Sequence, residues 1–251
     1  MPPIPELIEL LKAGVHFGHR SSKRYPKMKE FIHTTRHEID IIDLEKTASA
    51  LASALDFVKE TALSGGVVLF ISSKRQAKAI IEKAAADCGM PYVTARWLGG
   101  TFTNFSSIAA LTRKLKDLEA QAASGELLKY TKKEQLDFQR EAEKLSELVG
   151  GIKDMSKMPA AVFVIDIKKE KTALAEAIKK NVPIVALIDT NADPSRIQYP
   201  IPGNDDAAKS IELITNLVAQ AVNEGKALNQ ESKEAIKQES NKASAKGRSA
   251  S

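Results

Sequence analysis

Residues 67–72 read VVLFIS, an apolar run closed by serine, with Gly66 before it and a polar turn after it. So short and so apolar a run suits a strand buried on both faces, as in a parallel sheet. AVFVI at 161–165 and IVALI at 184–188 repeat the pattern, and residues 92–95, opened by Pro91, read as a further strand. Helical stretches separate them: 75–87, stopping at Gly89, then 170–180, and 206–223 after the last strand. This alternation predicts an α/β fold, a parallel sheet flanked by helices. Four or five parallel strands are expected, those at 92–95, 161–165 and 184–188 being the last three.

Upstream, Ile39, Ile41 and Ile42 read as a short first strand, and Asp43 as the N-cap of a helix over 45–63. A helix at 5–13 would use Ile4, Leu7, Ile8, Leu10 and Leu11 as its apolar face and end at Gly14. Between these, residues 16–37 read as irregular and basic. Downstream, 106–157 holds no strand. Ile108, Leu111, Leu115 and Leu118 make one narrow stripe, Leu136, Ala142, Leu145 and Leu148 a second, with a break at Ser124 and Gly125. Narrow stripes with charged flanks point to an inserted coiled-coil hairpin that projects from the domain rather than covering the sheet. The expected organisation is a discontinuous α/β domain over 1–105 and 158–225 with a basic N-terminal extension. The hairpin occupies 106–157, and a polar tail over 226–251 is too poor in apolar residues to fold.

The charge balance is only mildly basic, 37 Lys and Arg against 32 Asp and Glu, which by itself decides nothing. Its distribution is more telling. From Lys12 to Arg36 there are seven bases and one acid, Glu30, while 226–251 carries six bases and three acids. Cys88 is the only cysteine, so no disulfide framework exists and a reducing compartment fits. No signal peptide and no membrane-length apolar run is visible, and a cytoplasmic protein is expected.

Ligands of a doubly wound sheet bind beyond the carboxyl ends of its strands. A nucleotide there wants a glycine-rich turn after the first strand. Here the strands lead into DLEKT and SKRQA, and Gly65 and Gly66 precede a strand. An enzyme using the strand-end loops on a phosphorylated substrate stays as the rival reading, without its commonest support. All four histidines, His16, His19, His33 and His37, lie in the basic segment. His16 with Asp189 and Asp205 makes a divalent ion, zinc or magnesium, conceivable; solvated loop carboxylates and helix caps are the plainer reading.

The basic segment interleaves Arg20, Lys23, Arg24, Lys27 and Lys29 with Tyr25, Met28 and Phe31, a composition suited to a folded phosphate backbone. Lys74 and Arg75 stand at an expected helix start, where the dipole disfavours cations, so an external anion would explain them. RWLGGTFTNF at 96–105 places the only Trp, two glycines and two Phe at a strand end. Trp97, Phe102 and Phe105 are read as buried seating for the hairpin, and Arg96, Thr103 and Asn104 as RNA contacts.

At these residues the chain resembles the family of bacterial small-subunit ribosomal protein number two. The carriers are GVHFGHR (14–20), YPKMKEFI (25–32), IIDLEKT (41–47), RWLGGTFTNF (96–105), GGIKDM (150–155), FVID (163–166), DTNADP (189–194) and IPGNDDA (201–207). The ordered set is specific where each motif alone is not. The resemblance implies a flavodoxin-like sheet with an inserted hairpin, no catalytic activity, no required cofactor, no small-molecule substrate and no membrane. It also implies a ribosome-bound protein on small-subunit ribosomal RNA near the head–body junction. Its partners would be neighbouring ribosomal proteins, among them the large messenger-binding protein it helps recruit.

Overall fold

The computed structural model describes residues 4–248, with side chains described as far as residue 232. Its centre is a five-stranded parallel sheet of β4 (Val68–Ile71), β5 (Tyr92–Val93), β6 (Ala161–Ile165), β7 (Ile184–Ile188) and β8 (Tyr199–Pro202). The order β5-β4-β6-β7-β8 is that of a flavodoxin-like, doubly wound sheet. Every residue of β4, β6 and β7 is buried, because the pleat sends alternate side chains to two covered faces. Val68, Phe70, Phe163, Ile165, Val185 and Leu187 point to one core, under α2 (Leu44–Leu63), α3 (Lys78–Cys88) and α7 (Ala208–Arg248). Leu69, Ile71, Val162, Val164, Ala186 and Ile188 point to the other, under α6 (Lys171–Lys179).

The strand count agrees with the sequence reading, but one member differs. Ile39–Ile42 is not in the parallel sheet. It forms β3, the middle of a separate antiparallel sheet with β1 (Phe17–Arg20) and β2 (Ile32–Arg36). The basic segment is therefore built, not irregular. The fifth parallel strand is instead β8, with the sequence YPIP, which lies after the last strand expected. The Gly203 N–H donates to the Ile188 carbonyl, so the odd-numbered positions of β8 face β7. Pro200 and Pro202 fall on the outward side of an edge strand, where no N–H is needed.

The insertion is a pair of helices, α4 (Phe105–Ser124) and α5 (Lys132–Val149), the second opened by a Thr131–Glu134 capping box. Leu115, Leu118, Leu145 and Val149 are buried along their seam, and Leu128 near the far end is exposed. In α1 (Leu7–Ala13) only Leu10 is buried; Ile4, Leu7, Ile8 and Leu11 remain exposed.

The tail departs from expectation. The last helix does not stop near Asn223 but continues to Arg248, and residues 249–251 of the tail lie outside the described residues. Gly225 is a crossing point: a Cβ there would stand 2.4 Å from the Lys59 carbonyl oxygen and 2.7 Å from the Ala62 Cβ. Just beyond it, Lys226 donates to the Cys88 carbonyl at 2.6 Å, and Asn229 to the Leu63 carbonyl. These side chains satisfy the open ends of α3 and α2, which gives the continued helix a structural task.

Candidate nucleic-acid interface

The loops after the parallel strands gather at one edge of the sheet, and the small antiparallel sheet is laid over the loop that follows β7. Gly18 makes the close approach possible, since a Cβ there would lie 2.6 Å from Thr190 Cγ2. The His19 N–H donates to Thr190 Oγ1 at 2.9 Å, the Tyr25 N–H to the Thr190 carbonyl at 2.8 Å, and the Tyr25 hydroxyl to Asp193 at 2.8 Å. Hydrogen bonds from the Ser195 hydroxyl and N–H lower the Asp193 pKa to about 2, so its carboxyl stays ionised.

Of the ten basic and polar residues expected at RNA, eight are exposed: Arg20, Lys23, Lys27, Lys29, Arg75, Arg96, Thr103 and Asn104. Among the described residues, none of these six cations lies within ion-pair distance of a carboxylate; Lys27 donates to the Ser195 hydroxyl at 2.6 Å. Arg96 overlooks a cleft of about 590 Å³ lined also by Ser73, Thr94, Lys169 and Thr172.

Arg24 and Lys74 are engaged elsewhere. The guanidinium of Arg24 clamps Asp40, which is 0% exposed, through Nε at 2.8 Å and through Nη2. Burial pushes the Asp40 carboxyl up, but Arg24 and Thr35 outweigh it and hold it low. Lys74 is buried, its ammonium 2.6 Å from Asp205, 2.7 Å from Asp206 and 3.1 Å from Asp166. The anion that explains a cation in this turn is internal. Burial, reinforced by the Asp189 charge, pushes Asp205 up to about 7, because the cluster holds more carboxylates than cations. The helix itself begins later, at Lys78 rather than Arg75.

The expected histidine is replaced by its neighbour. His16 stacks on Phe17 with its Nδ1 buried and without a partner among the described residues. His19 meets the carboxylates instead, Nδ1 3.0 Å from Asp189 and Nε2 3.4 Å from Asp206. Hydrogen bonding to Asp189 raises the His19 pKa against the opposing effect of burial.

Two acids went unread in the sequence. Glu170 accepts from the Ser73 N–H at 2.7 Å and from its hydroxyl at 2.5 Å, filling the turn after β4 where a phosphate would sit in a nucleotide site. Glu176 sits beneath the 96–105 loop. Its signal was available, a lone acid between Ala173 and Ala177 on the buried face of α6.

Comparison with known proteins agrees on one family. The model of the family described as ribosomal protein S2 matches residues 10–225. Small ribosomal subunit protein uS2 of Acidothermus cellulolyticus is 51% identical over 218 residues, 86% of this chain and 79% of that protein. The uS2 proteins of Thermobifida fusca and Mycobacterium leprae are each 49% identical, over 90% and 86% of this chain and 77% and 78% of theirs.

Proposed function

This chain belongs to the ribosomal protein S2 family, whose members are structural, non-enzymatic components of the small ribosomal subunit, and we propose that it grips ribosomal RNA along the carboxyl edge of its sheet. The observation that carries this is the row of exposed cations that, among the described residues, lie within ion-pair distance of no carboxylate: Arg20 at the end of β1, Lys23, Lys27 and Lys29 in the connection from β1 to β2, and Arg75 and Arg96 on the strand-end loops. Unpaired cations beside Thr103 and Asn104 supply both phosphate contacts and hydrogen bonds to unpaired bases. The rival enzyme reading has no support in this geometry: Glu170 occupies the turn after β4 and Lys74 is buried among carboxylates. Among the described residues no helix is long and apolar enough to cross a membrane. From the family we take the protein to be ribosome-bound, in the cytoplasm.

The proposed site of attachment is the head–body junction, next to other small-subunit proteins including the large messenger-binding one. The exposed apolar side chains of α1, with Phe17 beside them, suit a protein neighbour. Purified protein should prefer small-subunit ribosomal RNA to bulk RNA of equal length and should enter reconstituted small subunits. Equal affinity for both RNAs, together with failure to enter the particle, would reject the proposal.

A divalent ion remains a proposal, moved to the donors that converge. One atom each from His19, Asp189 and Asp206 lie within 4.8 Å of one another. One imidazole and two carboxylates fit zinc with water as fourth ligand. Elemental analysis after dialysis against trace zinc should find metal in the wild type and in His16→Ala, and lose it in His19→Ala. Equal metal in all three proteins, or none in the wild type, is the contrary result.

A further inference from the structure

The loop between β5 and α4 is folded around a single carboxylate. Glu176 is 8% exposed although it is charged. Its Oε1 accepts from the Gly100 N–H at 2.7 Å and from the Trp97 indole N–H at 3.2 Å. Its Oε2 accepts from the Phe102 N–H at 2.9 Å, the Thr103 N–H at 3.1 Å and the Thr103 hydroxyl at 3.3 Å. Backbone N–H groups converging in this way make an anion-binding nest. Here the anion belongs to the protein. Burial pushes the Glu176 pKa up, but the loop N–H groups outweigh it and hold the carboxyl below its ordinary range. Gly100, at φ +98°, takes a backbone conformation that only glycine adopts easily, and it delivers the first of these N–H groups. Below, Trp97 and Phe102 pack edge to face with centroids 5.0 Å apart.

The loop's other hydrogen bonds are local: the Thr101 N–H and hydroxyl donate to the Leu98 carbonyl at 3.2 and 2.6 Å, the Asn104 N–H to the Gly100 carbonyl at 2.7 Å, and the Ser106 hydroxyl to Asn104 Oδ1 at 3.0 Å. Arg96 is exposed, and so are Thr103 and Asn104. The carboxylate therefore ties down the middle of the loop, and the residues at its ends inherit their positions. We propose that Glu176 is a positioning residue for RNA: its carboxylate holds residues 97–103 in shape and so sets where Arg96, Thr103 and Asn104 meet their ligand. The inference rests on the reading of this loop as an RNA contact. Glu176 itself touches no RNA; it acts by removing the cost of ordering the loop on binding.

Glu176→Gln keeps the shape and loses the charge and one acceptor oxygen. In the full-length protein, amide hydrogen exchange at Gly100, Phe102 and Thr103 should quicken roughly tenfold or more, the scale of lost charge-assisted hydrogen bonds. Affinity for small-subunit RNA should fall while the log–log salt slope stays as in the wild type, because no phosphate contact is removed. In Glu176→Ala the nest is empty, and added formate should slow exchange again where chloride at equal ionic strength does not. Unchanged exchange in Glu176→Gln overturns the proposal, as does a formate effect no greater than that of chloride in a folded Glu176→Ala. If Glu176→Ala does not fold, the Glu176→Gln exchange result decides alone. Arg96→Ala separates the two readings. Should it leave affinity and slope untouched, the loop is not an RNA contact, whereas normal RNA binding by Glu176→Gln beside a weakened Arg96→Ala sinks the positioning role alone.

Discussion

Lys74→Met should lower folding stability by about 3–5 kcal/mol, the loss expected when one partner of a buried ion pair is removed. The ammonium is within 3.1 Å of three carboxylates and also donates to the Asp205 carbonyl at 2.8 Å. Those carboxylates come from the loops after β6 and β8, so Lys74 ties the turn after β4 to both. Methionine keeps most of the stem, which isolates the charge from the packing. The Asp205 carboxyl, 2% exposed and already pushed up to about 7, then loses the ammonium that offsets its burial and is driven further towards its protonated form. Lys74→Met/Asp205→Asn should recover part of the loss, because the buried charge goes with its partner. Urea unfolding of the single and double variants measures this. A loss below about 1 kcal/mol in Lys74→Met, the range of a surface pair, would show that the cluster is more solvated than its geometry says.

The same cluster shows where a sequence stops being readable. β4, β6 and β7 were legible because continuous apolar runs have few other uses in a chain of this length. β8 was not, since its prolines are tolerated only at an edge, and edge position is a property of the finished sheet. The antiparallel sheet escaped notice because its hairpin turn is His37–Glu38, both at positive φ, where asparagine and glycine would have announced it. In the site, exposed cations could be named from composition, but their partners could not. Lys74 finds Asp205 131 residues away and Arg24 finds Asp40 16 residues away, and no local pattern separates them from Lys27 or Arg20. His16 and His19 are not distinguishable by sequence alone: in an extended chain side chains three apart point to opposite sides, and which side meets the carboxylates is set only when the strand docks. His19 lies in β1 and faces Asp189; His16 faces Phe17. The tail is poor in apolar residues, which speaks against a packed core but not against a helix that continues from one already seated on α2 and α3.

The largest functional effect is expected from Arg20, Lys23, Lys27 and Lys29 replaced together by Ala. Each cation that neutralises a phosphate releases condensed counterions, so binding weakens as salt rises, with a log–log slope proportional to the number of contacts. Losing four contacts should flatten that slope by about 3, at roughly 0.7–0.9 per phosphate. All four side chains are exposed, and among the described residues none lies within ion-pair distance of a carboxylate, so the variant should unfold at close to the wild-type urea concentration. Lys59→Ala serves as the charge control. It sits near the carboxyl end of α2, away from the strand-end loops, 2.8 Å from Glu224, and its loss should leave the slope unchanged. Arg96→Lys tests a different kind of contact. The charge is kept, so the slope should hold, but an ammonium cannot reproduce the planar fork of a guanidinium against phosphate or a base edge, and affinity should drop. The three results together locate the surface: a flattened slope only in the four-residue variant places phosphate on the basic segment from β1 to β2, and a weakened Arg96→Lys extends the contact to the strand-end loop. If the four-residue variant binds small-subunit RNA with wild-type affinity and slope, the RNA lies on another face of the molecule.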